Sequence, residues 1–191
     1  MKKDIILSGV GGQGILSIAT IIGEAATQAG LYLKQAEVHG MSQRGGDVQS
    51  NLRLSTEPIY SDLIPKGKTD IIISMEPMEA LRYLSCLSAD GIVVTSSKPL
   101  VNISDYPDEK MIMEELDKLP KTVKADTDAL AKDLNLPKGA NMILLGMAAP
   151  YIEVLSAGQL KEAIRTVFAR KSEAIVEANI KCFDLGLSLN R

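Results

Sequence analysis

Tryptophan is absent, aromatic residues make up only 4% of the chain, and thiols occur only at Cys86 and Cys182. A chain this poor in aromatics lacks the stacking platforms on which single-stranded nucleic acid is held. A formal net charge of −3 likewise leaves no excess of the basic residues that nucleic-acid surfaces use. Nucleic acid is therefore not an expected partner. Two cysteines far apart, with no C-x-x-C pair, cannot furnish a four-thiolate iron–sulfur cluster or a zinc site of that kind. Both are read as core residues, where free cysteines commonly lie. No apolar run reaches the ~20 residues of a membrane span, and no basic-then-apolar leader is present. No membrane association and a cytoplasmic location are the expectations. Repeats and low-complexity tracts are also missing.

What remains is an ordinary globular composition, 46% hydrophobic and 24% charged over 191 residues. That length suits one domain, taken as residues 1–191, with a sizeable core. Asp4-Ile5-Ile6-Leu7 reads as a strand buried on both faces, and residues 15–29 read as a helix with small and branched apolar residues at helical spacing. Gly30 is placed as its C-cap. Leu31 to Val38 is a second strand. Asp47 to Ser55 alternates Val48, Leu52 and Leu54 with Gln49, Asn51 and Arg53, as a strand with one wetter face would. Its arrival with no helix before it breaks a regular βαβ order.

Further strands are predicted at 70–74, at 92–95 after an Asp90-Gly91 turn, and at 122–125. Glu76-Pro77-Met78-Glu79 begins a helix that extends to about Leu87, with acidic residues at the favourable end of the dipole. A short helix is placed at 108–119 and another from Asp126. Asn141 to Leu155 is an apolar helix that Pro150 should kink or break. Ser156 and Gln159 form a capping-box pattern, and Lys171 to Leu187 continues in helical spacing. The fold class is α/β: a single domain with a Rossmann-like, open, mostly parallel sheet, flanking helices and a helical last third.

Two stretches carry chemistry. In Gly9-Val10-Gly11-Gly12-Gln13-Gly14, the spacing of Gly9, Gly11 and Gly14 fits G-x-G-x-x-G between a strand and a helix. Backbone N–H groups at such a helix N-terminus suit a phosphate, although three glycines also make a plain tight turn. Gln13 adds a side-chain amide able to bond a ligand, a partner or the second loop. That second loop holds the chain's only histidine, His39, followed by Gly40, Met41, Ser42, Gln43, Arg44, Gly45 and Gly46. Arg44 offers forked donors for a phosphate or carboxylate, or is simply solvated. His39 is an acid–base group or a hydrogen-bonding residue. Both loops follow strands, so they should share the sheet edge where open α/β folds bind ligands. Glu76 joins them there, as a ligand group or as a helix N-terminal carboxylate. A Rossmann enzyme would use Glu37 on the adenosine ribose.

The glycine turn, the string from Glu37 through His39-Gly40-Met41-Ser42-Gln43-Arg44-Gly45-Gly46, and the segment from Asp70 to Ala80 resemble the gamma-type domain of 2-oxoacid:ferredoxin oxidoreductases. The second string is similar to the version in small (beta) subunits of the indolepyruvate branch, and Asn141 to Gly146 to a further block. The resemblance covers nearly the whole chain. It implies a subunit, inactive alone, of an enzyme that oxidatively decarboxylates a 2-oxoacid with coenzyme A to acyl-CoA, carbon dioxide and reduced ferredoxin. Thiamine diphosphate and iron–sulfur clusters would then sit in a large partner subunit, with ferredoxin met through the assembled complex. Gly9, Gly11, Gly12, Gln13, Gly14, His39, Ser42, Gln43, Arg44, Gly45 and Gly46 become candidate coenzyme A or subunit contacts. No catalytic residue and no metal ligand is assigned. The alternatives are a stand-alone NAD- or FAD-dependent oxidoreductase and a nucleotide-binding scaffold module that forms homodimers.

Overall fold

The computed structural model describes residues 1–39 and 45–190. Among them, six strands form one sheet: β1 (Lys2–Val10), β2 (Tyr32–His39), β3 (Asp47–Ser55), β4 (Thr69–Ser74), β5 (Leu87–Ser96) and β6 (Thr122–Ala125). Their order is β2-β3-β1-β4-β5-β6. β1, β4, β5 and β6 pair in parallel, and β3 runs antiparallel between β2 and β1. The exception follows from chain length. The return from His39 to Asp47 is too short for a crossover helix, which with its loops takes about a dozen residues.

Successive residues of β1 serve two cores, as the two-residue period of a strand requires. Ile5 and Leu7, with Leu52, Leu54, Ile71, Ile73 and Val94, pack beneath the helices of the first layer. That layer holds α1 (Ile15–Gln28) and the C-terminal helices. Ile6, Ile72 and Val93 face the opposite way. They meet Ala80 of α2 (Pro77–Arg82) and Ile112 and Leu116 of α3 (Glu109–Asp117). With both faces covered, β1 is buried continuously from Asp4 to Val10. The expected open, mostly parallel sheet with flanking helices and a helical last third is the observed fold.

Three local readings change. The Asp90-Gly91 pair is not a turn: α2 ends at Arg82, a 3-10 turn covers Leu84–Cys86, and β5 already begins at Leu87. The pair lies within β5, where the register against β4 shifts between Thr69 and Ile71, so it marks an irregularity in a longer strand. The wetter face of β3 is not wet at its centre. Asn51 is buried, and Arg53 forms a forked pair with the fully buried Asp4 at 2.8 and 3.2 Å. Its Nη1 donates to the carbonyls of Ser61 and Leu63, so the guanidinium of the pair is held in place by the protein's own backbone.

The third change concerns Pro150. α4 (Thr127–Asp133) leads to α5 (Ala140–Ile152), which runs through Pro150 for half a turn before ending. Residues 142–149 and Ile152 are all buried, so packing outweighs the single backbone bond that proline removes. α6 (Ala157–Phe168) starts at the expected Ser156–Gln159 capping box. α7 (Glu173–Ser188) crosses α5 at glycine contacts. A Cβ on Gly146 would lie 2.0 Å from the Phe183 carbonyl oxygen, and one on Gly186 1.9 Å from that of Ile143.

Candidate functional site

The connection after β1 leads through α1 to the β2 side of the sheet, whereas that after β4 leads through α2 to β5 on the other side. A crevice must therefore open between the carboxyl ends of β1 and β4, the place where open α/β sheets take ligands. The glycine turn stands at that crevice. Gly14 is the N-cap of α1 in left-handed backbone, φ 85° and ψ 22°. The Asn141 side chain of α5 donates to its carbonyl at 3.2 Å, and a Cβ there would sit 2.5 Å from the same nitrogen. Only glycine meets both conditions without strain.

Gln13 closes the turn from inside. Its Oε1 accepts from the Val10 N–H at 2.7 Å, and its Nε2 donates to the Met75 carbonyl at 3.2 Å, which locks the end of β1 to the end of β4. The amide is thus committed to the protein's own backbone. Gly9 lies inside β1, buried and paired with Val48 of β3. Gly11, Gly12 and Gly14 reach the surface of the crevice.

The two loops share the edge, as expected from their places after β1 and β2. Gly11 N–H donates to the Gly46 carbonyl at 2.8 Å, and Gly45 N–H to the Gly11 carbonyl at 3.4 Å. The backbone of His39 ends β2 opposite Val48. Ser42, Gln43 and Arg44 lie outside the described residues, as does the side chain of His39.

A third segment, read from sequence as a loose polar stretch, also reaches this edge. The Asn102 side chain donates to the Gly45 carbonyl at 2.7 Å. Residues 97–108 are anchored from below by Glu76, which is fully buried. Its carboxylate caps α2 through the Glu79 N–H at 2.8 Å, accepts from the Leu100 N–H at 3.4 Å, and accepts from the Tyr106 hydroxyl. Burial, and then the hydrogen bond to Glu76, push the Tyr106 phenol well above its ordinary range. Of its two sequence readings, Glu76 takes the helix N-terminal role and ties the 97–108 strap down.

Two clefts flank the glycine turn. On the β2 side a cleft of about 370 Å³ is lined by Gly11, Gly12, Gly14, Leu16, Glu37 and Val48. Glu37 thus does stand beside the glycines. On the β4 side a cleft of about 660 Å³ is bounded by Gly12, Gly14, Asn141, Lys98, Lys132 and Lys138, with Asp128 also on its wall. None of the three lysines stands out in the sequence, because they lie on separate segments that only the fold brings together. The thiols play no part at this edge: Cys182 is buried on α7 with its thiol pushed up by burial, and Cys86 packs, half-buried, against the second core.

The chain is thus a doubly wound α/β domain with its glycine turn at the switch point of the sheet. Residues 4–189 match the Pyruvate ferredoxin/flavodoxin oxidoreductase family, and the chain is a member of it. It is 37% identical over 197 residues to the indolepyruvate oxidoreductase subunit IorB of Thermococcus kodakarensis, across 98% of this chain and 96% of that one. The gamma subunit of a keto/oxoacid ferredoxin oxidoreductase from Geobacter sulfurreducens superposes with a TM-score of 0.70 at 26% identity, covering 98% of this chain and 97% of that one. A 2-oxoglutarate:ferredoxin oxidoreductase of Magnetococcus marinus, solved with 2-oxoglutarate, coenzyme A and succinyl-CoA bound, shares the fold. Its TM-score is 0.74 at 23% identity, over 98% of this chain and 31% of the longer one. The chain is accordingly a small subunit of the 2-oxoacid ferredoxin oxidoreductase type. Among the described residues no helix is long and apolar enough to cross a membrane.

Proposed function

We propose that the whole of residues 1–191 acts as one gamma-type domain in a 2-oxoacid:ferredoxin oxidoreductase of the indolepyruvate branch. The complex converts a 2-oxoacid and coenzyme A to acyl-CoA and carbon dioxide, and passes the electrons to ferredoxin. Thiamine diphosphate and the iron–sulfur clusters belong to the large partner subunit, and this chain has no activity of its own. Its part is to present the edge built from residues 9–14 and 39–46 as a surface for coenzyme A, with Arg44 and the turn's backbone amides holding an anionic group.

The observation that carries this reading is the backbone pairing of Gly11 with Gly45 and Gly46. It joins the two family motifs into one surface beside the switch-point crevice. Co-purification from the native source tests the assembly: the chain is expected with a large thiamine-containing subunit, and recovery as a free protein would contradict it. Calorimetric titration of the assembled complex with coenzyme A is expected to weaken on Arg44→Ala. Unchanged affinity removes Arg44 from the role. The stand-alone NAD or FAD enzyme is the lesser reading, favoured only by Glu37 beside the glycines. A purified chain that shows no flavin absorbance and leaves NADH fluorescence unaltered would dispose of it.

A further inference from the structure

We infer that the cleft between Lys98, Lys132 and Lys138 receives the phosphate groups of the nucleotide cosubstrate. The inference rests on the coenzyme A reading above and says which side of the glycine turn the charged part of that ligand occupies.

Three lysines from three separate segments surround this one cleft: Lys98 on the strap after β5, Lys132 on α4, and Lys138 ahead of α5. Among the described residues the only carboxylate on the wall is Asp128, so their side chains give the cleft a surplus of two positive charges. Among the described residues none of the three lysines is taken up in an ion pair, whereas Lys2, Lys3, Lys121, Lys124 and Lys161 all are. In a chain whose net charge is −3, such a concentration is not a by-product of a basic composition. Lysines left unpaired around one concavity suit a multiply charged anion, which gains from each of them.

The backbone adds to this field. α1 and α5 both begin at the cleft, behind Gly14 and Gly139, and neither has a side-chain cap or an acidic residue in its first turn. By contrast, Glu76, Asp108, Asp126 and Ser156 cap α2, α3, α4 and α6. Two uncapped positive helix ends thus point the same way as the lysines. Across the turn, the one charged side chain among the described residues of the lining is the Glu37 carboxylate, which repels a phosphate, beside the apolar Leu16 and Val48. A ligand with a diphosphate and a further phosphate on its ribose therefore places them on the lysine side, leaving the neutral pantetheine arm to run on toward the partner subunit.

The test is calorimetric titration of the assembled complex at low salt with two probes, coenzyme A and pantetheine, the second lacking every phosphate. For Lys132→Ala/Lys138→Ala, coenzyme A binding is expected to weaken about tenfold or more, the loss of charge-assisted bonds at two positions. Pantetheine binding is expected to stay unchanged, and Lys132→Arg/Lys138→Arg to bind coenzyme A within about twofold of the natural chain. Both lysines are exposed, so the variants should melt with the natural protein. Undiminished coenzyme A binding by the alanine variant overturns the lysine assignment while leaving the coenzyme A reading intact. A loss that pantetheine shares, or that arginine does not restore, also overturns it. Equal coenzyme A binding by the large subunit alone overturns the reading on which the assignment rests.

Discussion

On the β2 side of the glycine turn the cleft is small, about 370 Å³, and among the described residues it shows Leu16, Val48 and one carboxylate, Glu37. On the β4 side it is about 660 Å³ and shows three lysines beside two helix N-termini. The two share Gly12 and Gly14 as a common wall. A glycine fingerprint therefore marks the wall but not the side on which a ligand lies. On the proposed placement the side is set by charge, and the charge comes from connections remote in sequence: the strap after β5, α4 and the entry to α5.

Four substitutions probe that contrast, in falling order of effect. Gly14→Ala attacks the shared wall. Left-handed backbone and the Asn141 nitrogen at 2.5 Å from the new methyl should together cost about 2–3 kcal/mol, read as a shift in urea unfolding. A loss below about 0.5 kcal/mol would show that the wall yields easily, and the two clefts would then not be held apart by it. Glu76→Ala acts on the lysine side alone. Losing the α2 cap and the anchors of Leu100 and Tyr106 should cost about 2 kcal/mol. Amide exchange should quicken across 98–106 and stay unaltered in β2. Equal quickening in β2 would mean that the two sides are one cooperative unit.

Tyr106→Phe is the milder version, expected to cost about 1 kcal/mol of stability. The phenol's titration point is raised in the folded state above its ordinary 10.0, so its contribution is fully present below that value and is lost as pH rises past it. Urea midpoints of the natural protein and the Tyr106→Phe variant should keep a constant gap at neutral pH that narrows in strong alkali. A gap that widens instead would reverse the sign. The smallest effect belongs to Glu37→Gln on the other side. Glu37 is exposed and forms no ion pair among the described residues, so stability should move by less than about 0.5 kcal/mol in a thermal melt.

Sequence patterns reported what is local. The strand, glycine turn and helix over residues 4–29 were legible because period, breaker and cap all lie within a few residues of one another. The shared edge of the two loops was legible from topology, since both follow strands of one direction. Gln13 was not: nothing in its surroundings in sequence tells that Met75, sixty-two positions on, supplies its acceptor. Asp90-Gly91 has the composition of a turn, yet β4 alongside turns it into a strand irregularity. Pro150 has the composition of a break, yet burial of α5 carries the helix past it. The lysine cleft was invisible for the same reason, as its members meet only when β5, α4 and α5 are set side by side. Where long-range packing decides, local pattern is silent.

The central claim, that this edge is a ligand surface completed by a partner subunit, is tested most directly by hydrogen exchange on the assembled complex with and without coenzyme A. The expected result is added protection at residues 9–14, 98–102 and 132–141 of this chain, with β2 little affected. Protection confined to the large subunit, with this edge unchanged, would contradict it.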